Sequence, residues 1–285
     1  MLRHFLYGLI LSAKRACPEC PVEIKPMKLL SESARHLGLR LNEEHLRAFE
    51  IYYRELVAWN EKFNLTAITD YDQVQIKHFL DSLTCLLADE GLTRAICQQP
   101  GVRVIDVGAG AGFPGLPLKI VCPGLQLTLL EATGKKVGFL EHMVSRLGLA
   151  GVEVIRGRAE ELGRDAAYRE RYDLALARAV AELSVLVEYA LPFCRLGGLF
   201  VAQKGAEGDA EAKAAEGAMA TLGGVLRCIV HLELSNLDKP RSLVVVEKIA
   251  PTPEKYPRRP GIPSKRPLKS QRSKVSKSQS SKASQ

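Results

Sequence analysis

Along the first hundred residues apolar positions recur at intervals of three and four, and beyond them they gather into short continuous runs. Leu46, Phe49, Tyr53, Leu56 and Trp59 form one such stripe, which predicts an amphipathic helix over residues 42–60. Asn42, followed by Glu43 and Glu44, supplies its N-terminal signal. A second helix is expected over 72–88 and sets His78 and Asp81, three residues apart, on one face. That spacing suits either a role near a bound ligand or a hydrogen-bonded pair capping the core.

From residue 102 the pattern changes. Residues 102–107 make an apolar run that ends in glycines, as a strand buried on both faces does. Further strands are expected over 125–131, 152–156, 172–178 and 198–204. Helices from about 115 and over 135–147, 181–194 and 209–220 alternate with them. Runs at 225–234 and 242–249 close the series, joined by a link containing Asp238, Lys239 and Pro240. That link has no room for a crossover helix, so the pair must be antiparallel. The alternation predicts an α/β fold: a doubly wound, mostly parallel seven-stranded sheet with an antiparallel last strand, preceded by an N-terminal helical region. The chain divides into an extension at 1–28, a helical region at 29–95, the core at 96–250 and a basic tail at 251–285, expected to be disordered.

Composition narrows the classes. With 46% hydrophobic and 25% charged residues, the chain can build a core without metal or disulfide help. Cys17 and Cys20 form a lone C-x-x-C without two further ligands nearby, so no metal site is expected. Seven scattered cysteines read as reduced thiols of a cytoplasmic protein. The apolar run at 5–11 falls short of the about 20 residues a bilayer needs, so no membrane partner is expected. The formal charge of +8 is unevenly placed: from Glu254 onward ten Lys or Arg face one acid, and the remainder is nearly neutral. Such an ending attracts phosphate or merely keeps the chain in solution.

The strongest chemical signal follows the first strand: Asp106-Val107-Gly108-Ala109-Gly110-Ala111-Gly112-Phe113-Pro114-Gly115. Glycines there let a ligand approach the backbone, at the strand ends where such sheets bind ligands. A dinucleotide and S-adenosylmethionine are the two candidates. Asp106 favours the second, because a carboxylate repels a pyrophosphate but welcomes a sulfonium and an ammonium. Phe113-Pro114 also departs from the usual dinucleotide helix entry. Glu131, at the end of the second strand, can take both ribose hydroxyls in either case. Ala159 and Glu160 follow the third strand, where they can reach an adenine edge. Arg178 closes the fourth strand nearest the transferred group, and Lys204 closes the fifth, where it can meet a substrate phosphate.

Several segments together resemble the ribosomal RNA small-subunit methyltransferase G family, also called glucose-inhibited division protein B. They are Trp59-Asn60 through Thr66, His78 to Ser82, Val104 to Pro117, Gly134-Lys135-Lys136 with Phe139-Leu140, Arg158-Ala159-Glu160, Arg178-Ala179, Lys204-Gly205, and Tyr256 to Pro263 with Lys265 to Leu268. The resemblance spans about residues 29–268. It implies the class I, Rossmann-like methyltransferase fold and transfer of a methyl group from S-adenosyl-L-methionine to N7 of one guanosine in 16S rRNA. The implied partner is 16S rRNA or the small ribosomal subunit, met by a monomeric enzyme. Implied cofactor contacts are Gly108, Phe113, Glu131, Ala132, Thr133, Ala159, Glu160 and Arg178, beside Asp106, Gly110 and Gly112 of the loop. Arg258, Arg259, Lys265 and Arg266, with Lys204, would hold the RNA backbone.

Guanine N7 presents a free lone pair, so alignment and desolvation suffice and no general base is expected. Arg178 stays protonated and can orient the base without acting on a proton. The residues also allow a methyltransferase with another substrate, a dinucleotide-dependent oxidoreductase, or a binder that catalyses nothing.

Overall fold

The computed structural model describes residues 27–233 and 240–268. The stretch with Cys17 and Cys20, the link at 234–239 and the Lys/Ser-rich end after Leu268 lie outside the described residues.

Helix α1 (Lys28–His36) and the long α2 (Glu43–Phe63) open the fold. The Asn42 side chain caps α2 by accepting from the His45 amide while the His45 ring takes the Asn42 N–H. Asn64, in the left-handed conformation, ends it. The expected register of α2 is off by one on one face: Tyr52, not Tyr53, is the fully buried tyrosine.

The second expected helix is broken into pieces. It runs as α3 (Tyr71–Val74), a π-helical turn over Gln75–Leu80, α4 (Asp81–Leu83) and a 3₁₀ turn over Thr84–Leu87. Hydroxyls take part of the helical carbonyl set: Ser82 Oγ donates to His78 O and Thr84 Oγ1 to Asp81 O, both at 2.6 Å. Helix α5 (Glu90–Gln98), capped by Asp89, leads into the sheet.

The core alternates as expected: β1 (Arg103–Val107), α6 (Gly115–Val121), β2 (Gln126–Glu131), α7 (Gly134–Arg146), β3 (Val152–Arg156), α8 (Ala159–Leu162) and β4 (Tyr172–Arg178). It continues with α9 (Leu183–Ala190), β5 (Cys194–Lys204), α10 (Gly208–Thr221), β6 (Gly224–Leu232) and β7 (Arg241–Lys248). The sheet order is β3-β2-β1-β4-β5-β7-β6, and β7 runs antiparallel to both neighbours. The chain crosses from β3 past β1 to β4, so the switch point falls between β1 and β4. One face of the sheet packs on α1, α2 and the broken helix, and the other on α9 and α10.

The described part of the C-terminal tail corrects the expectation of disorder. Through residue 268 the segment is folded onto the core, ending in the short α11 (Ile262–Lys265). Backbone carbonyls on the tail meet two arginines: Arg164 donates to Pro257 O and Lys255 O, and Arg169 to Tyr256 O and Thr252 O. The Arg258 fork grips Glu188, whose side chain is fully buried.

Candidate active site

The glycine loop sits on the carboxyl ends of β1 and β2 and closes a crevice of about 510 Å³. Gly108 and Gly110 take φ of +75° and +61° and line it. Gly108 admits no side chain, because a Cβ there would come 2.8 Å from Val180 Cγ2. The loop amides turn inward. Gly108 N and Ala109 N donate to Leu130 O, Gly112 N and Phe113 N donate to Ala109 O, and Gly110 N donates to Glu131 Oε2 at 3.0 Å. A pyrophosphate needs a nest of free N–H groups and no carboxylate. This loop has spent those amides and sets Glu131 against one of them, so the crevice fits a phosphate-free donor. Glu131 Oε1 also accepts from Thr133 N at 2.8 Å, which ties the tip of β2 to the start of α7. Each oxygen keeps a second lone pair free to accept from a ligand.

Of the residues expected around the donor, Gly108, Gly110, Phe113, Glu131, Ala132, Ala159, Glu160 and Arg178 line the crevice. Asp106, Gly112 and Thr133 are not part of that lining. Thr133 is the N-cap residue of α7, turned to Glu131. At Gly112 a Cβ would lie 2.5 Å from Leu116 Cδ1 and from the Tyr52 hydroxyl, so its glycine serves packing against α2. Asp106 is fully buried under the loop, where Oδ2 accepts from Gly115 N at 2.8 Å and pins the start of α6. The carboxylates that line the crevice are therefore Glu131 and Glu160. The latter accepts from Gly261 N at 3.0 Å, so the tail braces this wall and adds Ser264 to it. Sequence reasoning missed Ser264, Val180 and Tyr189, because none stands in a strand-end motif.

Phe113 organises the inner wall. Its ring stacks on Tyr52 and His78 at centroid distances of 5.3 Å and 4.6 Å, and the Arg178 guanidinium lies 4.8 Å from its centroid. Tyr52 donates to Ala111 O at 2.5 Å, tying α2 to the loop. His78 Nε2 meets Thr66 Oγ1 at 2.8 Å. His78 and Asp81 do not form a pair; each has its own partners. Arg178 Nη1 donates to Asp81 Oδ2 at 3.0 Å, and Arg241 Nε donates to Asp81 Oδ1 at 3.1 Å. One buried carboxylate thus holds two guanidiniums, and the broken helix is what brings it to the ends of β4 and β7.

Two buried groups here titrate in opposite senses. Burial, with a smaller push from Glu131, raises the Asp106 carboxyl to about 7 against Gly115 and Arg178. The folded protein keeps a proton there that the unfolded chain releases near about 4, so that contribution is present at low pH and lost as pH rises to about 7. Burial and then Arg178 lower His78 to about 4, so its contribution is lost as pH falls below about 6.5. Asp106→Asn keeps the acceptor for Gly115 and removes only the first titration. The variant's urea midpoint relative to wild type should climb between about pH 4 and 7 and level above. A difference that does not vary with pH would refute this assignment of the proton.

The expected phosphate contacts divide. Lys204 Nζ is 2.7 Å from both Ala181 O and Glu211 Oε2, with its side chain 9% exposed, so it braces α9 and α10 instead of reaching out. Arg258 is likewise spent on Glu188. Arg259, Lys265 and Arg266 are exposed. Among the described residues no cluster of three His, Cys, Asp or Glu could hold a metal ion, and no helix is long and apolar enough to cross a membrane.

A parallel sheet with β7 reversed between β5 and β6, and a glycine loop over a crevice at the switch point, defines a class I methyltransferase, whose methyl donor is S-adenosylmethionine. A family model described as rRNA small subunit methyltransferase G matches residues 45–239, and the chain belongs to that family. It is 48% identical over 239 residues to a ribosomal RNA small subunit methyltransferase G of Pelotomaculum thermopropionicum, covering 84% of this chain and 97% of that protein. A protein of the same description from Roseiflexus castenholzii is 49% identical over 242 residues, covering 85% of this chain and all of its own length. Another, from Alkaliphilus metalliredigens, is 45% identical over 245 residues, covering 85% of this chain and 98% of its own.

Proposed function

We propose that the protein methylates N7 of one guanosine in 16S rRNA, acting in the cytoplasm on the RNA or on the small subunit that carries it. The observation that carries the choice of atom is the pair of groups on the inner wall of the crevice, His78 and Arg178. A guanidinium such as that of Arg178 offers donors and no acceptor. His78, held down at about 4, is too weak a base to strip an amine or hydroxyl at neutral pH. Such a wall serves an acceptor atom that already presents its lone pair, and guanine N7 does.

Bound S-adenosylmethionine supplies an electrophilic methyl on a sulfonium. The chain's own residues do the rest by placement. Glu131 and the loop backbone hold the ribose end, and Glu160 stands at the adenine side. Arg178, fixed by Asp81 and by the Phe113 ring, donates toward guanine O6 and leaves N7 uncovered. The target nucleotide must leave its stack to enter. Arg259, Lys265 and Arg266 stand exposed on the tail that supplies Ser264 to the crevice, where RNA phosphates can be held. Mapping N7-methylguanosine in 16S rRNA by mass spectrometry, with and without the gene, tests the reading. One site should lose its methyl group on deletion and regain it on incubation with purified protein and donor. Unchanged modification in the deletion strain would overturn the proposal.

A further inference from the structure

A second recess of about 390 Å³ opens beside the donor crevice and shares His78, Arg178 and Ala179 with it. Its far wall is formed by the ends of β5 and β7, with Gln203 and Arg241, and by Asp81 of the broken helix. That volume exceeds a purine base, and the shared residues put its inner end against the place where a methyl group would be handed over.

Gln203 is 5% exposed, yet its Oε1 is buried and has no hydrogen-bond partner. The orientation of its amide is dictated by its surroundings. Nε2 donates to the Asp81 carbonyl and, at 3.2 Å, to Thr84 Oγ1. The carbonyl can only accept, and the Thr84 hydroxyl spends its own proton on that same carbonyl. A flipped amide would set oxygen against oxygen. Oε1 is therefore the free end, and a buried acceptor left unpaired is destabilising unless a ligand or water supplies a donor. Among the described residues one other buried side-chain oxygen, Asp106 Oδ1, lacks a partner, and Asp106 does not line the recess.

We infer that the recess seats the acceptor base and that Gln203 Oε1 accepts a hydrogen bond from the 2-amino group of guanine. This rests on the proposed function. Guanine offers two donors, N1–H and the 2-amino group. With its N7 and O6 edge turned to Arg178 at the shared boundary, the 2-amino group is the donor farthest from N7, and it reaches the far wall. Gln203 is then a specificity residue: it selects guanine over purines without that amino group, while Arg178 reads O6.

The test compares small-subunit RNA bearing guanosine with the same RNA bearing inosine, which lacks only the 2-amino group, at the methylated position. Wild-type protein should show a kcat/KM at least about tenfold higher for guanosine, as loss of one buried hydrogen bond implies. Gln203→Leu and the equally long Gln203→Met should lose about that factor on guanosine and treat the two RNAs alike. Binding of S-adenosylmethionine and the melting temperature should stay near wild type. A wild-type enzyme indifferent to inosine, or variants that keep the preference, would overturn the inference and leave the proposed function standing. A protein that binds the donor but methylates neither RNA would remove the proposed function, and the inference with it.

Discussion

Glu131→Ala is expected to weaken S-adenosylmethionine binding by at least about a hundredfold, which calorimetric titration of the purified protein would read directly. The side chain does three things at once. It accepts from Gly110 N, accepts from Thr133 N, and presents its remaining lone pairs to the crevice. Truncation frees the loop on one side and the start of α7 on the other, and each freed amide is left without its partner (about 1–3 kcal/mol apiece). The loss falls on the ligand site more than on the fold, because the core under β2 is made by Leu127, Leu129 and Leu130. The melting temperature should therefore fall by about 5–15 °C while affinity collapses. Glu131→Gln keeps one acceptor and should fall between. Affinity within threefold of wild type for the alanine variant would mean that the donor is held elsewhere.

Asp81→Ala should reduce both activity and stability. The carboxylate is 5% exposed and carries Arg178 and Arg241, themselves only 14% and 27% exposed. Removing one member of a buried charge cluster strands the others, typically at about 3–5 kcal/mol. In a protein of this size that corresponds to a drop of about 10 °C in melting temperature. The kcat should fall by about a hundredfold, because Arg178 then loses its only ion-pair partner among the described residues and the base loses its orientation. Donor affinity should change far less, since Glu131 and the loop are untouched. An alanine variant with wild-type kcat would separate Asp81 from the placement of Arg178.

What could be read from the chain followed the range of each signal. The strands, the glycine loop and the acid at the end of β2 were legible because their pattern and their chemistry are local. The place of Asp106 at the end of β1 is legible, but the direction of its side chain is not. Nothing in a strand end tells whether its carboxylate turns to the ligand or to the amide of Gly115 nine residues on. The basic ending suits a surface for phosphate or one that only keeps the chain in solution, and neither pattern shows that Arg258 is consumed by Glu188, seventy positions earlier. Lys204 is consumed by Glu211, seven positions on and in the next helix. Ion pairs between separate elements leave no periodic trace. The broken helix escaped for a related reason. Its apolar spacing suits a regular helix, and only the hydroxyls of Ser82 and Thr84, bonded back to the chain, show where the turn widens and tightens. That distortion carries Asp81 to Arg178 and Arg241, so the most charged part of the site was invisible until the chain was folded.

The placing of β7 between two strands made before it has a consequence for synthesis. Val244, Val245 and Val246 are fully buried, and their backbone partners lie on β5 on one side and β6 on the other. A polypeptide interrupted before Arg241 would display two unmatched β edges at once, the condition that invites sticking to other chains. Nonsense products ending there should accumulate in inclusion bodies or be degraded, however intact the glycine loop they carry.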